Sequence, residues 1–247
     1  MKKLLVTLSV AGLCTLPLSG MAAKYKEVSV SNGGSISGSV NFAGKDKAPK
    51  SYKISKDNDV CGTGSRDLDF VRVNNGKLMD TVVYLAKVKQ GKAFDASLSH
   101  EHDTPLLQKG CEFKPFLQVM RNESKIAAEN SDPVLHNIHT YEIIGRTRKT
   151  VFNVSQPDRG TVTKKVKLKR GVGMKIECDA HDFMHGFVFV AKNPYFSKVA
   201  EDGSYKIDQV PPGKYTLKVW HGTLKGASEK IEIAAGGSTT VDFTVKK

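Results

Sequence analysis

The chain has 247 residues, with 38 Lys plus Arg against 25 Asp plus Glu, a formal charge of +13, and 39% hydrophobic residues. That length suits one large β domain or two ordinary ones. The basic excess favours acidic partners or anionic surfaces. It does not point to nucleic acid, because the lysines are scattered through strand-like segments rather than gathered on one basic helix or arm.

Residues 1–22 read as a cleavable secretory signal. Lys2 and Lys3 form the charged start, an apolar stretch runs from Leu4 to Leu18, and Gly20 and Ala22 supply small residues before a cut ahead of Ala23. Cys14 is then lost with the signal. What remains is 225 residues (247 minus 22) with 36 basic residues, two fewer, against 25 acidic ones, a net of +11. No other segment could span a bilayer, so a periplasmic or secreted protein in an oxidising compartment is expected.

Beyond the signal, helical periodicity is nearly absent. Short alternating or β-branched runs follow one another: SISGSVNF at 35–42, DTVVYLAKV at 80–88, FKPFLQVM at 113–120, KIAAEN at 125–130 and VLHNIHTYEI at 134–143. Then come TKKVKLK at 163–169, MKIEC at 174–178, GFVFVA at 186–191, GSYKI at 203–207, KYTLKVW at 214–220, EKIEI at 229–233 and TTVDFTV at 239–245. Turns rich in Gly, Asn, Asp and Pro separate them, the pattern of an all-β sandwich protein. Three cysteines remain after cleavage, so one thiol is left over. Cys61 and Cys111 lie in turn-like surroundings without a nearby His and are expected to form a disulfide. Cys178 is the odd one, and a metal would hold it as a thiolate.

The stretch AEDGSYKIDQVPPGKYTLKVW reads as a hairpin turn, a strand, a Pro-Pro-Gly turn and another strand. On Asp202, Gly203, Tyr205, Ile207, Val210, Pro211, Pro212, Gly213, Tyr215, Leu217 and Val219 it resembles the carboxypeptidase regulatory-like domain, a small transthyretin-like β-sandwich. That family opens with strands like SISGSV and TVVYL, which here lie far upstream. The resemblance therefore implies an insertion. Residues 23–103 and 193–247 would build the outer sandwich around an inserted domain at 104–192, with Asn193, Pro194 and Tyr195 as the returning hinge.

Inside the insert, ECDAHDFMHGFVFV at 177–190 sets Cys178, His181 and Met184 at three-residue steps, and NSDPVLHNIHTYE carries His136 and His139. In an extended segment those two histidines point to opposite faces, so one at most joins Cys178. A thiolate, two imidazoles and a distant thioether are the donor set of a blue-copper site. Zinc would want four strong ligands. A Cys–His hydrolase, with Cys178 as nucleophile and His136 as base, leaves Met184 without a role.

Cys-x-x-His-x-x-Met-x-Gly before a Val-rich strand, with His-Asn-Ile-His upstream, resembles the cupredoxins, and among them the amicyanin-like members. The resemblance implies a Greek-key cupredoxin sandwich binding one copper ion, Cu(I)/Cu(II), through His136, Cys178, His181 and Met184. Asn137 would brace the two ligand loops, and His181 would lie near the surface as an electron port. Asp182 stands where that family commonly has Pro, and His185 offers a competing donor. The expected function is a single-electron carrier and not an enzyme. Its partner would be a redox protein such as a cytochrome or dehydrogenase with an acidic docking face. The alternatives are copper storage or delivery, or a scaffold with a vestigial site. Outside this set, His139 is expected to be packed, His100 and His102 to sit in a polar loop, and His221 to cover a sandwich edge at the surface. Phe183 and Phe187 would either collar the site or serve core packing, which accounts for them equally well.

Overall fold

The computed structural model describes residues 25–46, 48–95, 98 and 105–247. The signal-like segment 1–22, His100, His102 and the boundary at 103/104 lie outside the described residues. The chain is all-β, and its strands form sandwiches. Among the described residues no helix is long and apolar enough to cross a membrane.

One sandwich is made by strands between 106 and 191. Its larger sheet has the order Leu117–Arg121, His185–Ala191, Gly173–Glu177, His136–Ile144, Thr147–Gln156, with the first two strands parallel. The facing sheet has the order Phe113–Lys114, Leu106–Gln108, Lys125–Asn130, Gly160–Lys165. Alternate side chains meet between them, as the two-residue period of a strand requires. Ile126, Ile138, Ile176, Val188 and Val190 are among the buried residues of that core.

The other sandwich is built from both ends of the described chain. Gly34–Ala43 pairs antiparallel with Ser204–Val210 and parallel with Ser238–Thr240 and Phe243–Lys246. The second sheet runs Phe196–Lys198, Thr81–Ala86, Gly213–His221, Ser228–Ile233. Ile36, Leu85, Ile207, Leu217 and Val219 lie in its core. Gly38 is needed where strands cross, since a Cβ there would stand 1.8 Å from the Val241 carbonyl oxygen.

An aromatic layer joins the two. Phe187 and Phe189 of the first sandwich meet Trp220 of the second, with ring centroids 6.5 and 5.6 Å apart. Of the two roles open to Phe187, packing is the one seen: it faces the neighbouring sandwich. Its neighbours in the strand alternate inward, which puts Val188 in the core instead.

A short hairpin, Lys50–Lys53 with Ser65–Leu68, carries a one-turn helix, Asn58–Cys61, between its strands. Its Tyr52, Ile54, Val60 and Cys61 pack with the core of the 106–191 sandwich.

Candidate functional site: a buried His–Cys centre and a lysine-lined groove

His136 opens its strand with the side chain buried, and His139, three residues on, turns to the other face. The loop 178–184 closes on itself through Cys178 N–H to Met184 O (3.3 Å), His181 N–H to Cys178 O (3.3 Å) and Met184 N–H to His181 O (3.0 Å). Asn137 ties that loop to the histidine strand. Its Oδ1 accepts from the Asp179 and Ala180 amides at 2.5 and 3.2 Å, and its own N–H lies 3.4 Å from Cys178 Sγ.

These constraints bring three donors together. His136 Nδ1 and His181 Nδ1 are 3.2 Å apart, and His181 Nδ1 is 3.7 Å from Cys178 Sγ. Each imidazole is oriented from behind by a carboxylate: His136 Nε2 lies 2.9 Å from Asp132 Oδ2, and His181 Nε2 lies 2.8 Å from Asp57 Oδ2. A carboxylate accepts, so both Nε2 atoms carry a proton and both Nδ1 atoms face inward. Two lone pairs at that distance repel unless a shared proton or a metal ion lies between them. The set His136, Cys178 and His181 can hold a metal ion. Its spacings fit donors sharing one ion with bonds of about 2.0–2.3 Å. Met184 is buried in the same core as Cys178.

Burial governs the electrostatics of the Cys178 thiol and the His181 ring, and hydrogen bonds those of Asp132. Burial pushes the Cys178 thiol above its ordinary range, against the opposing amide hydrogen bond from Asn137. Burial lowers His181, with the Asp57 bond acting the other way. For Asp132 burial alone would raise the carboxyl. The Cys111 amide, the His136 ring and the Gly110 amide outweigh it and hold the group below the usual range.

The neighbouring candidates fall outside the centre. His139 Nδ1 contacts Asp179 at 3.1 Å and the Tyr141 hydroxyl at 2.9 Å. The His185 ring packs against Tyr52 and Phe70, at 5.4 and 5.2 Å. Cys61 and Cys111 form a disulfide, while Cys178 is free and buried. Two placements differ from the sequence-based expectation. His181 is not near the surface, because the 50–68 hairpin lies over it and its side chain is 0% exposed. His221 is buried rather than edge-covering, since its Nδ1 accepts from the Thr223 and Leu224 amides at 3.2 Å. Sequence reading also passed over Asp132 and Asp57. Asp132 stands four residues before His136 and could have been noticed, but nothing local marks Asp57.

A second feature lies on the other sandwich. An open groove of about 830 Å³ runs between residues 86–90 and the Gly213–His221 and Ser228–Ile233 strands. Lys87, Lys89, Lys214, Lys218 and Lys230 line it, with Tyr215 among the other lining residues. The register explains the clustering. Thr216 pairs with Lys230 and Lys214 with Glu232, so their side chains share the sheet face opposite Leu217 and Val219.

Fold and site define an all-β protein of two sandwiches with a buried His–Cys cluster in one and a cationic groove on the other. The model of the family described as "Polysaccharide lyase family 4, domain II" matches residues 159–241, about a third of the chain. Among curated proteins, the chain is 31% identical over 130 residues to a probable rhamnogalacturonate lyase B of Neosartorya fischeri, covering 51% of this chain and 19% of the lyase. It is 26% identical over 136 residues to the corresponding protein of Aspergillus flavus, covering 53% and 20%. The chain thus spans about a fifth of the curated relatives it matches.

Among solved structures, a purple cupredoxin from Nitrosopumilus maritimus covers 32% of this chain and 81% of its own at 19% identity, with a TM-score of 0.28. A Cu(I) amicyanin variant covers 44% and 98% at 12% identity, with a TM-score of 0.30. Likeness at that level carries no functional argument. These findings overturn the expectation of a blue-copper single-electron carrier, and with it copper storage or delivery as the alternative. They also overturn the expectation that the chain is not an enzyme, because the curated relatives are named as lyases. Donor spacing alone could not reveal this, since the lyase family match at 159–241 takes in Cys178 and His181 but runs on through the C-terminal strands and leaves out His136.

Proposed function

We propose that this chain acts on an acidic polysaccharide and that the lysine-lined groove is where the polymer lies. The observation that carries the reading is the clustering of Lys214, Lys218 and Lys230 on one sheet face, inside the segment that matches the lyase family. A uronate polymer presents one carboxylate after another, and an open groove with five lysines against one acid, Glu232, which lies 3.8 Å from Lys214, answers that spacing better than an enclosed pocket would. The net charge, +13 for the whole chain and +11 without residues 1–22, adds long-range attraction for such a polyanion. The test is calorimetric titration with oligogalacturonate and with a neutral galactan, alongside ultraviolet detection of unsaturated sugar ends. The expected result is binding of the acidic oligomer only, weakened about tenfold or more in the Lys214→Ala/Lys218→Ala/Lys230→Ala variant, as loss of several charge contacts implies. Equal affinity for both glycans, or none for either, would overturn it.

A second reading concerns the cofactor and rests on the two inward-facing Nδ1 atoms. We infer that His136, Cys178 and His181, with Met184 beside them, hold one copper ion. The sulfur donors suit Cu(I) and the imidazoles tolerate Cu(II). Residues 104–192 would then be a cupredoxin-like sandwich set into a carboxypeptidase regulatory-like one. Support comes from the strand pairing, in which 34–43 shares sheets with 204–246 while 106–191 pairs within itself. The Cys61–Cys111 disulfide favours an exported protein. Titration with Cu(II) is expected to reach one ion per chain with a thiolate charge-transfer band that Cys178→Ser abolishes. Failure to retain copper through desalting would sink this reading.

A further inference from the structure

The hairpin at 50–68 has no part in either sandwich's sheets, yet it is fastened across the His–Cys centre at three points. The Cys61–Cys111 disulfide is the first. Arg66 is the second. Its guanidinium donates to the carbonyls of Cys111, of Cys61 at 2.9 Å and of Gly110 at 3.1 Å, and it lies over the Phe183 ring at 5.0 Å. Tyr52 against His185 is the third. Between these fastenings the hairpin delivers one polar side chain to the centre, Asp57, whose Oδ2 is 2.8 Å from His181 Nε2.

The backbone at Asp57 is bent to make that delivery. Its φ is 52° and ψ 39°, in the left-handed region that Asp and Asn tolerate better than most residues. Its carbonyl meanwhile accepts from the Val60 and Cys61 amides at 3.0 and 2.8 Å, so the short helix is anchored at the residue that faces His181. Asp132 does for His136 what Asp57 does for His181, but Asp132 comes from the same strand region as its histidine, four residues before it. Asp57 reaches its partner across 124 positions of sequence.

We propose that Asp57 is the positioning residue of the His136–Cys178–His181 centre, and that the 50–68 hairpin is the cover that carries it. By accepting the Nε2 proton, Asp57 holds the His181 ring in one tautomer with the Nδ1 lone pair aimed at Cys178 and His136. The same contact shields the ring from water. Without it, an imidazole in water samples both tautomers and turns freely, and the donor set loses one member for part of the time. The consequence for an ion rests on the copper reading above; the tautomer claim does not.

The experiment uses the full chain with ¹⁵N-labelled histidine. In the metal-free protein, long-range ¹H–¹⁵N correlation is expected to report His181 as the Nε2–H tautomer in wild type and as a mixture in Asp57→Ala. Asp57→Asn keeps the backbone preference and an acceptor oxygen, so it should stay near wild type in tautomer. Copper affinity is expected to fall about 10–100-fold in Asp57→Ala, the usual effect of losing an orienting partner behind a ligand, and less in Asp57→Asn. An unchanged His181 tautomer in Asp57→Ala overturns the proposal whatever the affinity does. If wild type binds no copper while the tautomer shifts, the copper reading fails and the positioning role of Asp57 stands.

Discussion

His221 sits at the end of the Gly213–His221 strand, buried, with Nδ1 occupied by two backbone amides and lying 3.2 Å from the Thr223 hydroxyl. A second proton on that ring would have to displace those donors in a dry site, and burial lowers its pKa to about 4. The folded value lies below the unfolded one of roughly 6.5, so the unfolded chain takes up the proton first. The contribution to stability is therefore full above about pH 6.5 and is lost as pH falls toward about 4, on the order of 3 kcal/mol. His221→Asn keeps an acceptor for the loop and cannot titrate. Urea midpoints measured from pH 7.5 to 4.5 should fall more steeply in wild type than in His221→Asn. Parallel curves would mean that the ring does not govern this window.

Among elements, the hairpin and the glycines at the sandwich contact invite separate tests. The Cys61–Cys111 bond closes a 50-residue separation. A chain-entropy estimate puts its contribution at about 4 kcal/mol, so Cys61→Ala/Cys111→Ala should lower the urea midpoint by a corresponding amount. No change would mean that Arg66, Tyr52 and the packing of Ile54 and Val60 fix the hairpin without the bond. Gly173 and Gly222 leave room for rings: an added Cβ would stand 2.2 Å from Trp220 Cζ2 or 2.4 Å from Phe187 Cδ1. Gly173→Ala is expected to cost about 1–3 kcal/mol by overpacking, read from chemical denaturation. Little of this was legible in sequence. KIAAEN at 125–130 coincides with its strand, because apolar residues and a turn on either side mark it. TKKVKLK at 163–169 was displaced from the observed Gly160–Lys165 strand, where polar residues hide the start. The Lys50–Lys53 and Ser65–Leu68 strands are too short and too charged to alternate visibly, and Thr147–Gln156 begins with four exposed residues. In the centre, His136, Cys178 and His181 are marked by residue type and spacing. Asp57 owes its place wholly to tertiary contact, and the lysine groove to cross-strand register.

For the whole molecule, the question is whether two cores behave as one. Each sandwich buries its own apolar set, and chain crossings alone would let them unfold separately. The aromatic layer of Phe187, Phe189, Phe196 and Trp220 is what couples them. Trp220 is the single tryptophan of the chain, so its fluorescence reports on the contact while far-UV circular dichroism reports on all strands. Coincident urea transitions by the two probes are expected in wild type. Trp220→Ala removes the ring that touches both Phe187 and Phe189; the ring is partly buried, so its loss should cost less than the about 3–5 kcal/mol of a fully buried aromatic. That loss falls on the contact rather than on either core, because Trp220 points away from Leu217 and Val219 along its strand. Hydrogen exchange followed by mass spectrometry should then show peptides from 106–191 and from 204–246 losing protection at different urea concentrations. If both sets still open together in Trp220→Ala, the coupling resides elsewhere, and the aromatic layer is filling rather than joint.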